Sequence, residues 1–361
     1  MWRYAEVLPI NPDHAVTLQE GGTPLVELPR LAARFGIGRL WLKDEGRNPT
    51  ASFKDRLASL IVSRAKEVGA PVVTIASSGN AGAALAAYAA RAGLDCVIFT
   101  MANVPDAMKL QMQVTGAKLV ATPLPGDRWT LMQACVERFG WYPASNYSTP
   151  PLGSNPFGVE GYKTIAYEIA QDLDWEVPDW VAFPVCYGDG LWGATKGFQE
   201  MMDLGLTGRR PRMIAGEIFG SLESALDQAL PNAATVPARP SVAVSIATGR
   251  STYQALHALR VSDGIAVSVP EDRVLLELQQ LLATTEGLYV EPSSVTSLAA
   301  VRQLASAGRL GPTDRIVAIT TATGLKDPAA TAKVLSPIPT VSPDMDALLA
   351  ALKSSYGFDP S

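Results

Sequence analysis

The chain has 361 residues, 47% of them apolar and 18% charged, with a formal net charge of −5 at pH 7. This length supplies core for two domains, and an acidic chain without clustered Lys/Arg excludes a nucleic-acid footprint. Three scattered cysteines (Cys96, Cys135, Cys186) lack metal spacing, and with two histidines (His14, His257) a His-based metal or Ser-His-Asp site is poorly supplied. No apolar run reaches membrane length and no signal core opens the chain, so a cytoplasmic protein without membrane partners is expected.

In chain order, Gly21-Gly22-Thr23-Pro24 makes a turn before a short apolar segment and a helix over 28–35. Arg39–Lys43 reads as a strand. In Asn48–Arg56, a Pro/Ser turn brings Lys54 to the start of a helix expected over 55–68. The partial positive charge of a helix N-terminus disfavours protonation there, which suits an amine nucleophile. An isolated Ser-x-Lys is more often a solvated first-turn lysine. Val72–Ala76 is a β-branched run that reads as a buried strand, followed by Ser77-Ser78-Gly79-Asn80 and an alanine-rich helix ending at Gly93. Further alternation gives strands at 96–99 and 118–121 and helices at 107–115 and 129–139. A connector spans 143–156, a helix 161–173, a strand 180–185, a glycine turn 186–190 and a helix 191–204. A strand at 213–218, a loop over 230–248, helices at 274–284 and 293–307, a strand at 315–320 and a terminal helix at 345–353 complete the pattern.

Strands alternating with helices imply right-handed crossovers. The expected fold is α/β, with two doubly wound lobes of mainly parallel sheet: a smaller mobile domain over 37–150, and a larger one from 1–36 and 151–361. Ligands of such folds bind at the carboxyl ends of the strands. Four turns there carry chemistry. Besides Lys54, the Ser77–Asn80 turn offers hydroxyls and free N–H groups at a helix start, although Ser and Asn are also ordinary caps. Cys186–Leu191 is glycine-rich and suits an anion, although Asp189 would repel one, and a capped tight turn is the plain alternative. Thr320–Thr323 places hydroxyls after the last strand, where threonine is also simply a good strand residue.

Taken in order, these turns resemble one family, the fold-type II pyridoxal-phosphate enzymes, and within it the threonine synthases. The resemblance runs from about Gly21 to Pro328 and is carried by NPTASFKDR (48–56), ASSGNAGAALAAYAARAG (76–93), SNPFGVEGYKT (154–164), KGF (196–198), EPSS (291–294) and TGLKDP (323–328). It implies pyridoxal 5′-phosphate as cofactor and a small amino acid as substrate. By the same resemblance Lys54 carries the cofactor as a Schiff base and moves protons at the substrate Cα. Asn80 meets the cofactor 3′-oxygen, Tyr187, Gly188, Asp189, Gly190 and Leu191 cradle its phosphate, and Thr321 faces the pyridine nitrogen. Ser77, Ser78, Gly79 and Ala81 correspond to the grip on the substrate carboxylate, with Ala81 replacing a hydroxyl residue. Asn155 lies in the segment associated with the substrate's leaving phosphate, and Glu291 near the cofactor edge. A homodimer is the default assembly.

The resemblance breaks where a phosphorylated substrate would need it. In the family a Ser-x-Asn-Pro-x-Arg segment serves the leaving phosphate; here the serine position is Gly153 and the arginine position is Gly158. An arginine fork brings paired charge-assisted hydrogen bonds that a glycine cannot supply. The expectation is elimination or replacement at the β or γ carbon of a substrate other than O-phosphohomoserine. Threonine synthase proper and a catalytically silent cofactor-binding protein remain alternatives. GDGLWG (188–193) also fits a dinucleotide fingerprint, a weak signal by itself.

Overall fold

The computed structural model describes residues 1–359 apart from Asn103, Pro105 and Thr149. Thr149, inside the expected connector over 143–156, thus lies outside the described residues. Residues 1–326 form one compact unit, and residues 327–361 a second.

In the first unit, β1 (Leu25–Glu27) pairs antiparallel with β2 (Arg39–Asp44), and α1 (Pro29–Phe35) between them opens on a proline and closes at Gly36, φ +70. Next come α2 (Lys54–Glu67), β3 (Val72–Ala76), α3 (Asn80–Ala92), β4 (Asp95–Met101) and α4 (Asp106–Gln113). β5 (Lys118–Thr122), α5 (Asp127–Phe139) and the two-residue β6 (Tyr142–Pro143) follow. β3 to β6 make an all-parallel sheet of four strands in the order β5-β4-β3-β6. The chain continues through α6 (Pro156–Glu160), α7 (Lys163–Asp172), β7 (Trp180–Pro184), α8 (Asp189–Asp203), β8 (Arg212–Glu217) and α9 (Ser221–Asp227). It then passes α10 (Tyr253–Val261), β9 (Ile265–Ser268), α11 (Asp272–Glu286), α12 (Pro292–Ser306) and β10 (Arg315–Thr320). The second sheet has six strands in the order β1-β2-β10-β7-β8-β9, parallel except at β1.

Alternation along the strands of the six-stranded sheet buries both faces. Val181, Phe183, Met213, Val317 and Ile319 join one core with Leu57 and Ile61 of α2, Ile165 of α7 and Phe198 of α8. Trp180, Ala182, Ile214, Ile316 and Ala318 join the other with Leu31 of α1, Leu275 and Leu278 of α11 and Leu298 of α12. Helices therefore cover both sides, which is the doubly wound α/β architecture.

Several elements differ from the sequence pattern. The strand at 39–44 belongs to the six-stranded sheet, because its register with β10 runs from Arg39↔Arg315 to Asp44↔Thr320, whereas the expected smaller domain began at residue 37. The helix expected over 161–173 is α7, and a separate short helix, α6, stands before it where the connector was expected to end. They meet at Gly161, where a built Cβ would stand 2.2 Å from the Arg56 carbonyl oxygen, so only glycine lets this corner touch α2. α9, α10 and β9 were missed because they are seven, nine and four residues long and lie beside a proline- and alanine-rich stretch that blurs periodicity. The second unit contains α13 (Pro328–Ala332) and α14 (Met345–Tyr356); α14 buries none of its residues. Among the described residues no helix is long and apolar enough to cross a membrane.

Candidate active site

The turn after β10 captures the lysine segment. Phe53 N donates to Thr321 O at 2.8 Å, Thr323 N to Ala51 O at 3.3 Å, and Ser52 bridges Ala322 in an antiparallel pair. These bonds fix where α2 begins, so Lys54 is its first residue. Lys54 is half-buried as a residue, with its amine at the enclosed end. Nζ lies 4.5 Å from the centroid of the Phe53 ring and 5.7 Å from that of Tyr162. Among the described residues Nζ makes no hydrogen bond and no ion pair. Burial holds the Lys54 pKa below the ordinary lysine value of 10.5, against the opposing pull of Asp189, Cys186 and Glu291.

A polar chain runs beside it. Ser294, in the first turn of α12, accepts from Thr321 N at 2.9 Å and Ala322 N at 3.0 Å, and its Oγ lies 3.0 Å from Thr321 Oγ1. Thr321 Oγ1 donates to Glu291 Oε1 at 3.4 Å, and Asn80 Nδ2 donates to Glu291 Oε2 at 3.2 Å. Asn80 heads α3, is buried, and leaves its Oδ1 without a partner. Its amide nitrogen carries a second N–H beyond the one given to Glu291.

The glycine turn opens α8. Gly188 has φ +78, and a Cβ there would stand 2.3 Å from Ala255 Cβ; at Gly190 it would stand 2.8 Å from the Phe53 ring. Thr252 Oγ1 donates to Tyr187 O at 2.6 Å and Ser251 Oγ to Cys186 O at 2.8 Å, so the turn is held from outside. The first-turn N–H groups of this fifteen-residue helix lack intrahelical acceptors, as at any helix start, an arrangement that can receive an anion. Asp189 does not oppose it freely: its carboxylate accepts from Ser154 Oγ at 2.6 Å and Ser154 N at 3.1 Å. Leu191 is buried behind the turn.

At the third turn, Ser77 Oγ is used internally, accepting from Gly79 N and Gly82 N at 3.3 and 3.1 Å. Ser78 Oγ accepts from Arg128 Nη1 at 3.0 Å, and Ala81 is half-buried in the first turn of α3. Asn155 stands apart. It caps α6 by accepting from Phe157 N at 3.0 Å and donates to Pro143 O at 2.9 Å, so both ends of its amide are committed to the protein.

Among the described residues, an amine without a partner, a buried asparagine amide with a spare N–H and an orphaned oxygen, a turn that only glycine can make at a helix start, and a threonine hydroxyl on a shared serine form a polar set that fits pyridoxal phosphate. The sequence did not single out Ser294, Tyr162, Arg128 or Lys326 as site residues, although three of them sit inside the EPSS, EGYKT and TGLKDP segments. Tyr162 is fully buried with its hydroxyl unpartnered. Lys326 Nζ donates to Gln111 Oε1 at 2.6 Å, and burial lowers its pKa to about 8.

Residues 16–322 match the family described as "Pyridoxal-phosphate dependent enzyme". The threonine synthase of Methanosarcina acetivorans is 36% identical over 360 residues, 98% of this chain and 86% of that protein. The Mycobacterium tuberculosis threonine synthase is 33% identical over 344 residues, 94% of this chain and 91% of its own length. Among solved structures, maize serine racemase superposes with TM-score 0.72 at 20% identity, covering 86% and 91% of the two chains. O-ureido-L-serine synthase superposes with TM-score 0.70 at 21% identity, covering 95% and 100%. The last two attest the fold.

Proposed function

The chain belongs to the pyridoxal-phosphate dependent enzyme family, and on that footing we propose that it eliminates or replaces a substituent at the β or γ carbon of an amino acid other than O-phosphohomoserine. The cofactor, when bound, supplies an electron sink for the pair released as the substrate Cα loses its proton. Lys54 would hold the cofactor and act as base, since its amine has no competing partner and burial favours its neutral form. The Phe53 and Tyr162 rings wall that amine from water. Asn80 would donate to the ring oxygen. Thr321, a neutral hydroxyl backed by Ser294, would face the ring nitrogen without forcing a proton onto it. First-turn N–H groups of α8 would take the cofactor phosphate, and those of α3 the substrate carboxylate.

The observation that carries the altered substrate is the filling of the position where the family keeps an arginine. A Cβ on Gly158 would stand 2.6 Å from Ile61 Cγ1, so α2 leaves no room for a side chain there. At the neighbouring serine position, a Cβ on Gly153 would stand 2.9 Å from Asp189 Oδ1, so a carboxylate lies where a leaving phosphate would need a donor. The second reading, threonine synthase itself, is favoured by relatives of that name at 33–36% identity. Incubation of the purified protein with O-phosphohomoserine, assaying threonine and inorganic phosphate, decides. Turnover of about 1 s⁻¹ or faster, within the ordinary enzyme range, would overturn the altered-substrate reading.

A further inference from the structure

Arg128 is the second residue of α5, which follows β5 at the carboxyl end of the four-stranded sheet. The Ser77 turn leaves the same end of that sheet after β3. From there Arg128 Nη1 donates to Ser78 Oγ at 3.0 Å, and Nε donates to Pro125 O at 3.1 Å. Nη2 has no acceptor and no carboxylate pairs with this guanidinium among the described residues. Arg128 is half-buried, and its electrostatic neighbour is Tyr187 of the glycine turn, not an acid. A guanidinium remains charged at any working pH, so one partly withdrawn from water without a counter-ion is open to an arriving oxyanion. Two N–H donors of the turn it touches, those of Gly79 and Gly82, are already given to Ser77 Oγ, and residue 81 is alanine, without a side-chain donor.

We infer that Arg128 is the receptor for an oxyanion of the amino-acid substrate, with Nη2 and Nη1 meeting a carboxylate or phosphate oxygen received on the Ser77–Ala81 turn. This rests on the reading above that an amino acid binds at that turn. The same chemistry has two sources, the α-carboxylate or a second acidic group on the side chain, and the contact with Ser78 favours the first. Arg128 would supply what the alanine at position 81 does not.

The holoenzyme and its Arg128→Gln and Arg128→Lys variants are titrated with L-serine, L-serinamide and O-phospho-L-serine, following the cofactor's visible absorbance. A lost hydrogen bond to a charged group predicts a Kd for L-serine about 10- to 100-fold higher in Arg128→Gln. L-serinamide, which lacks the carboxylate, should change by less than about 2-fold. Arg128→Lys should recover part of the loss, since it keeps the charge and not the fork. Loss confined to O-phospho-L-serine would place the oxyanion on the side chain, with Arg128 still its receptor. Equal loss for L-serine and L-serinamide, or no loss for any probe, overturns the inference. A wild-type spectrum that no probe moves overturns it together with the amino-acid reading. Arginine-dependent binding without any elimination would instead count against the proposed reaction alone.

Discussion

Lys54 and Arg56 are two residues apart on the first turn of α2, both cationic and both enclosed, and their surroundings are opposite. Arg56 is saturated: Nε and Nη2 donate to the two oxygens of Glu45 at 2.7 Å each, Nη1 and Nη2 to those of Glu168 at 2.8 and 2.7 Å, and Nη1 also to Thr164 at 2.8 Å. Lys43 joins Glu168 at 3.2 Å on the far side. Lys54 has two aromatic faces and, among the described residues, no acceptor. A buried charge whose hydrogen bonds are all met is locked in place, whereas a buried amine with none is kept closer to its neutral form. Two residues, about half a helical turn, thus separate the group that anchors α2 from the group left open to chemistry.

Five experiments would break or sharpen that contrast. The largest effect is expected from Lys54→Ala, which should abolish the cofactor's visible absorption band and lower activity by about 10³-fold or more while leaving the urea midpoint of the apoprotein unchanged or raised. Arg56→Met should do the reverse to stability. It strands two buried carboxylates and should cost about 3–5 kcal/mol, read from urea unfolding. A loss below about 1 kcal/mol would show that the ion cluster is not what anchors α2.

Ser294→Ala comes next, since it leaves the N–H groups of Thr321 and Ala322 unpaired at a buried site. A loss of about 1–3 kcal/mol per group is expected at most, together with a changed cofactor spectrum if Thr321 turns away. The smallest effects concern pH. Because the Lys54 pKa lies below 10.5, reloading of the apoprotein with pyridoxal phosphate should speed up as pH rises, with its midpoint below that value. Burial would by itself raise the Glu168 carboxyl, but Arg56 and Lys43 hold it below the ordinary 4.5. Its contribution to stability is therefore present above pH 4.5 and lost as pH falls further, and Arg56→Met should flatten that acid limb.

Much of the site was legible where chemistry and secondary structure coincide in a short segment. Lys54, Asn80 and Asp189 each stand first in a helix; the strand-to-turn-to-helix pattern places Asn80 there without long-range information, whereas it puts Asp189 in the turn over 186–190 and starts the helix two residues late. Asn155 was legible as to segment but not as to role, because a capping asparagine and a ligand-binding one look alike until Phe157 N and Pro143 O are seen to occupy its amide. Arg128 carried no local signal at all. It lies 50 residues from Ser78, and a lone arginine in a first helical turn reads as a solvated charge.

The α/β class, the family, most of the longer elements and the lysine at a helix start were determined by the sequence itself, since periodicity and a nine-residue motif are local properties that survive without coordinates. Tertiary structure decided the rest: that β2 belongs to the larger sheet, that Ser294 stands behind Thr321, that Ile61 closes the space over Gly158, and that Lys54 is unpaired while Arg56 is not. Each of these is a distance between residues far apart in the chain. Burial and partnership, which set whether a charge is inert or reactive, exist only once those distances do.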